Sequence, residues 1–440
     1  MDQTDRFTLA EWAMDQALRS GADQAAVRVS NRRAVQVAFR DRRLEKLKES
    51  VFNRLHLEVY VDQRFSAQST NDLRKDALRD FIEQALAATR HLTADEHRSL
   101  PDPVYYPDQV DVNLEILDHG YGQIRPQDRV SLAAAIEAAA MGESDKIVST
   151  TSGYEDAHSE VVQVHSNGFR GEVRSTTFEA GAEVTVRGEG EKRPEDWAWA
   201  RMRFYHDLPD VEGLGVEAAT RALRKVGSVK LPSGRYAMVV ENRVGRRLIS
   251  MLLSAMTGSA LQQKNSFLEG MQGKQIASQD LTLIDDPTLT KGLGSRVFDG
   301  QGLAARRRVM IEQGILQHYY IDDYYGRKLG MRPTSGGPSN MVFEYGPRSM
   351  GDMINGLEHG ILVTGFIGGN SNSTTGDFSI GIFGFQIDHG EIVQPVNEMN
   401  IAGDAKEFWR RLVAMGNDPY PYSAHRVPSM LFEGVDFSGT

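Results

Sequence analysis

Cysteine is absent from all 440 residues, which excludes disulfides and thiolate metal ligands. Histidine is sparse and poorly spaced for a metal. None of the eleven forms an i, i+3 or i+4 pair, the spacing that stacks two imidazoles on one helical face, and none lies between His206 and His318. No run of about eighteen apolar residues occurs, so no membrane span is expected. The opening MDQTDRFTLAEW lacks the apolar core of a secretory signal, and a cytoplasmic location is the expectation. An excess of positive charge is also missing. With 50 Lys and Arg against 60 Asp and Glu, the net charge is −10 and the isoelectric point about 5.6, which argues against nucleic-acid binding. Arg306-Arg307-Arg308 sits in the strand-like AARRRVMI and reads as a solvated or ion-paired strand edge. Neither a P-loop nor a G-x-S-x-G nucleophile elbow is found. Gly213-x-Gly215-x-x-Ala218 matches the dinucleotide fingerprint, but no buried strand precedes it.

What is present is an alternation of helical and strand patterns. Thr8-x-x-Glu11 reads as a capping box for a helix ending at Gly21. Strand-like runs follow at Ala25–Val29, Ala34–Phe39 and Leu55–Val61. Next comes a helix with Leu78, Phe81, Ile82, Ala85 and Leu86 on one face. The segment His91–Val110 is rich in Pro, Asp and Tyr and reads as a connection. A helix near Asp128–Met141 precedes strands at Asp145–Ser152, Glu160–His165, Gly171–Arg187 and Trp197–Tyr205, with Ser166-Asn167-Gly168 as a hairpin turn. A further helix with Val216, Ala219, Leu223 and Val226 on one face stops at Gly227. After Pro232-Ser233-Gly234 the chain turns to short strands and glycine-rich turns, and a short helix is expected at Lys406–Met415. The fold class expected is α+β. An N-terminal α+β domain with a mainly antiparallel sheet spans 1–227, with a sub-boundary near 91–110. A β-rich, barrel-like C-terminal domain spans 228–440.

Asp322-Asp323 reads as a solvated pair, because adjacent side chains point apart. The strongest local anomaly is the polar stretch Gly368–Asp377. Gly369, Asn370, Ser371, Asn372, Ser373, Thr374 and Thr375 string small hydroxyl and amide groups with glycine. Such a stretch can line a cleft that holds an extended peptide through its main chain, or it can be a long glycine-permitted loop between strands.

The run Thr375-Gly-Asp-Phe-Ser-Ile-Gly-Ile-Phe-Gly384-Phe-Gln-Ile-Asp-His-Gly390-Glu-Ile-Val-Gln-Pro395-Val resembles the signature of the TldD/PmbA family, in which PmbA is also called TldE. Leu231-Pro-Ser-Gly-Arg-Tyr236, Gly273-Lys-Gln-Ile276, Gln313-Gly-Ile-Leu316 and Ile401-Ala-Gly403 agree in order, so the resemblance runs over essentially the whole chain. It implies a peptidase family whose TldD members bind zinc through H-E-x-x-x-H on the helix after the Leu231–Glu241 strand, plus a C-terminal cysteine. Here the helix expected over 242–258 places Leu253 and Gly258 at the histidine positions and Ser254 at the glutamate position. The resemblance therefore implies the PmbA/TldE branch: a non-catalytic subunit that binds no metal and no cofactor. The zinc is expected on a TldD-like partner, and the substrates expected are unfolded or small peptides. The alternative is a stand-alone homodimer that binds peptide or another ligand without peptidase activity. Leu248, Ile249, Leu252, Leu253 and Met256 form an apolar face, so the helix is expected to pack as core.

Overall fold

The computed structural model describes residues 3–440. The N-terminal region is built on one six-stranded antiparallel sheet of order β3-β2-β1-β4-β5-β6. Its strands are β1 (Gln24–Arg40), β2 (Arg43–Val61), β3 (Arg64–Thr70), β4 (Ile147–His165), β5 (Arg170–Val186) and β6 (Glu195–Met202). The pairs of short runs expected at 25–39 and 145–165 are each one continuous strand of 17 or 19 residues. Polar residues such as Asn31, Arg32, Ser159 and Glu160 break the apolar alternation in mid-strand but keep their ladder pairing.

Two helix pairs share one face of this sheet. α1 (Gln3–Arg19) and α2 (Lys75–Thr89) cover Val27, Val29, Leu55, Leu57, Val162 and Val164. α3 (Pro126–Gly142) and α4 (Val211–Arg224) cover Val37, Tyr154, Phe178, Ala180 and Ala182. Val29 and Val37 are an even number of residues apart on one strand, so a single face feeds both cores. α1 begins five residues before Thr8, so Thr8 lies inside the helix rather than capping it. The helix stop is as expected, with Gly21 at φ +99°. In α4, Leu214, Gly215, Ala218, Ala219 and Ala222 are buried, whereas Val216 is exposed, because the close α3–α4 crossing selects the small residues. A Cβ on Gly215 would lie 2.2 Å from the Ile136 carbonyl oxygen. The fingerprint-like glycine is thus a helix-packing glycine.

The C-terminal region contains a closed barrel. β7 (Gly234–Val240) is followed by α5 (Arg246–Ala255) and α6 (Gly258–Gln262). A small sheet of β8 (Leu283–Asp285), β9 (Arg308–Glu312), β10 (Ile315–Leu316) and β11 (Met341–Phe343) comes next, with α7 (Asp323–Leu329) between β10 and β11. Then follow α8 (Met350–Asn355), β12 (His359–Ser371), β13 (Asp377–Asp388), β14 (Glu391–Asp404), α9 (Ala405–Arg410), β15 (Leu412–Met415) and β16 (Met430–Ser438). The ring runs β14-β13-β12-β7-β16 and closes through Asn400↔Ser438 and Ile401↔Phe437. Only β12 and β7 pair in parallel within it. The helix expected at 406–415 ends at Arg410, and the apolar Leu412–Met415 joins β16 as a strand. Alternation along β7 sends Met238 and Val240 into the main core with α5, and Val239 to a smaller core under α8.

Candidate functional site

α5 is set in place from both ends of its approach. Glu241, at the end of β7, takes two 2.7 Å hydrogen bonds from the Arg221 guanidinium on α4. The Asn242 amide donates to the Asp418 carbonyl at 2.6 Å. A Cβ at Gly245 would lie 2.8 Å from Val427 and 2.9 Å from Met430, so only glycine lets the chain enter the helix this close to the barrel wall. Leu, Met, Arg and Ala then favour helix through Ala255. The expected apolar face is core: Leu248, Ile249, Leu252 and Met256 are at most 1 % exposed and Leu253 is 8 % exposed.

The structure does not keep 242–258 as one helix. α5 ends at Ala255, and Thr257 is extended at ψ 146°. The Thr257 hydroxyl accepts the Ala260 N–H at 3.2 Å and so caps α6 as a separate helix. The three motif positions therefore point in different directions. Leu253 faces the core, while Ser254 lies on the exposed side with Ser250 and donates its hydroxyl to the Met251 carbonyl at 2.9 Å. Gly258 opens α6, donating its N–H to Tyr320 at 2.8 Å, and a Cβ there would lie 2.8 Å from the Tyr325 Cβ of α7. These residues do not fit zinc, since two lack donor side chains and an imidazole at 258 would collide with α7. Among the described residues no three His, Asp or Glu side chains gather as a metal cage.

The polar stretch forms a hairpin. Gly368–Ser371 belong to β12, with a register shift between Ile367 and Asn370, and the chain turns through 372–376 into β13. Gly369 sits at φ +87°, and a Cβ there would lie 2.5 Å from the Ser379 carbonyl, so the bulge requires glycine. Gly369, Asn370, Ser371, Asn372, Thr374 and Thr375 are exposed, and Ser373 is half-buried. The hairpin docks beside α5 and α6. Arg247 donates to the Gly368 carbonyl at 3.3 Å, and the Phe267 N–H donates to the Ser373 carbonyl at 2.8 Å. Residues flanking the emptied motif thus hold the hairpin, although Leu253, Ser254 and Gly258 do not bond to it themselves.

Two other sequence features resolve simply. Asp322 caps α7 by accepting the Tyr325 N–H, and buried Asp323 pairs with Arg327 at 2.6 Å. In the Arg306–Arg308 triplet, Arg306 is exposed and Arg307 pairs with Asp286 at 3.6 Å, as a solvated or ion-paired segment should be, but Arg306 and Arg308 also line a cleft together with Arg332 and His318. The sequence hid this because the three arginines and His318 come from three separate segments. The triplet itself was the one signal available.

Models of the PmbA/TldA metallopeptidase match this chain in three parts: domain 1 over 25–89, the central domain over 121–226 and the C-terminal domain over 233–439. Metalloprotease PmbA of Escherichia coli O157:H7 is 30% identical over 427 residues, covering 96% of this chain and 94% of that protein. The PmbA homolog of Haemophilus influenzae is 28% identical, covering 97% and 95%. A Bacteroides thetaiotaomicron crystal structure, described as a candidate modulator of DNA gyrase, superposes with a TM-score of 0.97 at 42% identity over the full length of both chains. TldE of Thermococcus kodakarensis shares the fold, with a TM-score of 0.87 at 22% identity over 98% of this chain and 100% of its own. The barrel, the three matched domains and these relatives together show that the chain belongs to the PmbA/TldD metallopeptidase family.

Proposed function

We propose that this protein is the zinc-free, PmbA/TldE-like subunit of a TldD/TldE-type peptidase complex in the cytoplasm, acting on unfolded or small peptides. The observation that carries the reading is the pairing of Leu253 with Gly258. One is turned into the core and the other is closed off by Tyr325, in a family named for metallopeptidase activity. In this reading the partner holds the zinc and performs hydrolysis. The present chain contributes a stable barrel, and the exposed 368–375 hairpin forms a wall of the peptide cleft. That hairpin offers main-chain groups at a register shift, the kind of edge an extended peptide can pair with.

One surface supports association. Arg43–Arg54 of β2 extend beyond β3 and pair only with β1, leaving a free strand edge. Leu44, Leu47, Val51 and Phe52 there are 46, 55, 56 and 55 % exposed. An edge that is both unpaired and apolar is an interface feature. It serves a TldD-like partner or, in the second reading, another copy of this chain in a stand-alone peptide-binding homodimer.

Co-expression with a TldD-like protein from the same organism tests the choice. The expected result is a stable mixed complex with peptidase activity that neither chain shows alone. A homodimer that ignores the partner would support the second reading and remove the first.

A further inference from the structure

The connection at 91–110 closes one side of a cleft of about 560 Å³ in the C-terminal region. The Ala304 N–H donates to the Tyr105 carbonyl at 2.8 Å, which fixes this wall against the segment leading into β9. Arg306, Arg308, Arg332 and His318 line the cleft, and no Asp or Glu does. None of the three arginines forms a salt bridge among the described residues. Arg308 donates to the Arg306 carbonyl at 3.1 Å, and the Arg332 guanidinium lies 5.9 Å from the Tyr105 ring centroid. The carboxylate opposite Arg308 in the β8–β9 ladder is Asp285, but it is already engaged by the backbone N–H and the hydroxyl of Ser339. No carboxylate inside the cleft pairs with its arginines, although Asp285 favours the charge on Arg308. Burial and then Arg308 hold His318 below the usual imidazole range, while burial, opposed by Asp285 and reinforced by the like charge of Arg306, lowers Arg308.

The remaining walls are mostly apolar, with Gln272 and Thr334 as the neutral polar exceptions. Ile321 and Met331 line the cleft together with the Tyr319 ring. Ile321 also closes over Gly258, where its Cδ1 would stand 3.4 Å from a Cβ, and Tyr320 bridges to Thr257. The cleft thus abuts the emptied motif.

We infer that this cleft binds the free C-terminal carboxylate of a short peptide whose last side chain is apolar. Guanidinium forks match a carboxylate in a bidentate way, and an apolar side chain on the same residue fills the floor. An inorganic anion would use the arginines and leave that floor wet. The inference rests on the peptide-binding reading above and adds which end of the peptide is read.

The test uses the purified full chain and fluorescein-labelled Ala-Ala-Ala-Leu, as the free acid and as the C-terminal amide, followed by fluorescence anisotropy. The free acid is expected to bind, and the amide to bind about tenfold more weakly or worse, because it loses a charge-assisted pair. Arg306→Gln and Arg332→Gln, both at exposed positions, are each expected to weaken the acid about tenfold without moving the unfolding transition. Inorganic phosphate should compete only at far higher concentration than the peptide acid. Equal binding of acid and amide, failure of both to bind, or displacement by phosphate at matching concentration would overturn the assignment. So would equal binding of a peptide amide that carries an internal Asp. Complex formation with the TldD-like partner is read separately. If it persists while the carboxylate preference is missing, this site falls and the subunit reading stands.

Discussion

The core under the N-terminal sheet and the core around α5 treat buried polarity in opposite ways. Under the N-terminal sheet, Arg129 and Asp156 are 2 % and 0 % exposed and pair at 2.5 Å. Asp156 also accepts the hydroxyls of Tyr121 and Tyr154, both at 2.8 Å, and Arg129 donates to the Ile124 carbonyl at 2.7 Å. Around α5 the C-terminal core is built from Leu, Ile, Met and Phe, at the place where zinc-bearing family members are expected to keep imidazoles. The network in the first half holds α3 and its preceding turn to β4 and lines no site proposed here. The buried Arg129–Asp156 charge pair therefore marks architecture, whereas the α5 core holds apolar packing at the motif positions Leu253 and Gly258.

The largest loss of stability is expected at the ion pair. Arg129→Ala strands a buried carboxylate and is expected to cost about 4 kcal/mol in urea unfolding. A loss below about 1 kcal/mol would mean that Asp156 is satisfied without its partner. On the apolar side, Gly258→His forces an imidazole against Tyr325 and is expected to cost about 3 kcal/mol while gaining no zinc. A variant of undiminished stability would show that α6 and α7 can part.

A titration sharpens the contrast further. His165 joins the two halves: its Nε2 accepts from the Gln163 amide at 2.7 Å, and that amide also donates to the Gly300 carbonyl at 3.0 Å. Burial, partly offset by Glu58, pushes the imidazole down to about 4. The folded state therefore holds it neutral, while the unfolded chain takes up the proton near pH 6.5. Stability from this group is full above about pH 6.5 and is lost as pH falls toward about 4, on the order of 3 kcal/mol in total. His165→Gln should flatten that part of the stability–pH curve, and an unchanged slope would assign it elsewhere. The smallest effect is expected at the hairpin. Replacing Asn372–Thr375 by a short Gly-Ser turn should change stability by less than about 0.5 kcal/mol, since these side chains are largely exposed. Peptide turnover by the mixed complex is the quantity expected to fall.

Much of this arrangement could be read from the residues. The α+β class, the barrel-like second half, the Ser166-Asn167-Gly168 turn and the buried face of α5 all follow from local period and turn chemistry. What escaped was set by tertiary contacts. The length of β1 and β4 is enforced by ladder pairing across polar mid-strand residues that break the alternation. The division of 242–258 into two helices depends on Thr257 as a cap and on Tyr320 pairing beside it, which no periodicity reveals. Gly215 and Gly258 carry roles that only the neighbouring helix explains. The cationic cleft was illegible because Arg332 and His318 are brought to Arg306 and Arg308 by the chain path around α7.

The metal content of the purified chain decides whether α5 and α6 serve as core or as a metal site. Elemental analysis of protein prepared without chelator should find well below about 0.1 zinc per chain, and the isolated chain should show no chelator-sensitive peptidase activity. About one zinc per chain, with peptide hydrolysis lost on chelation, would contradict the account.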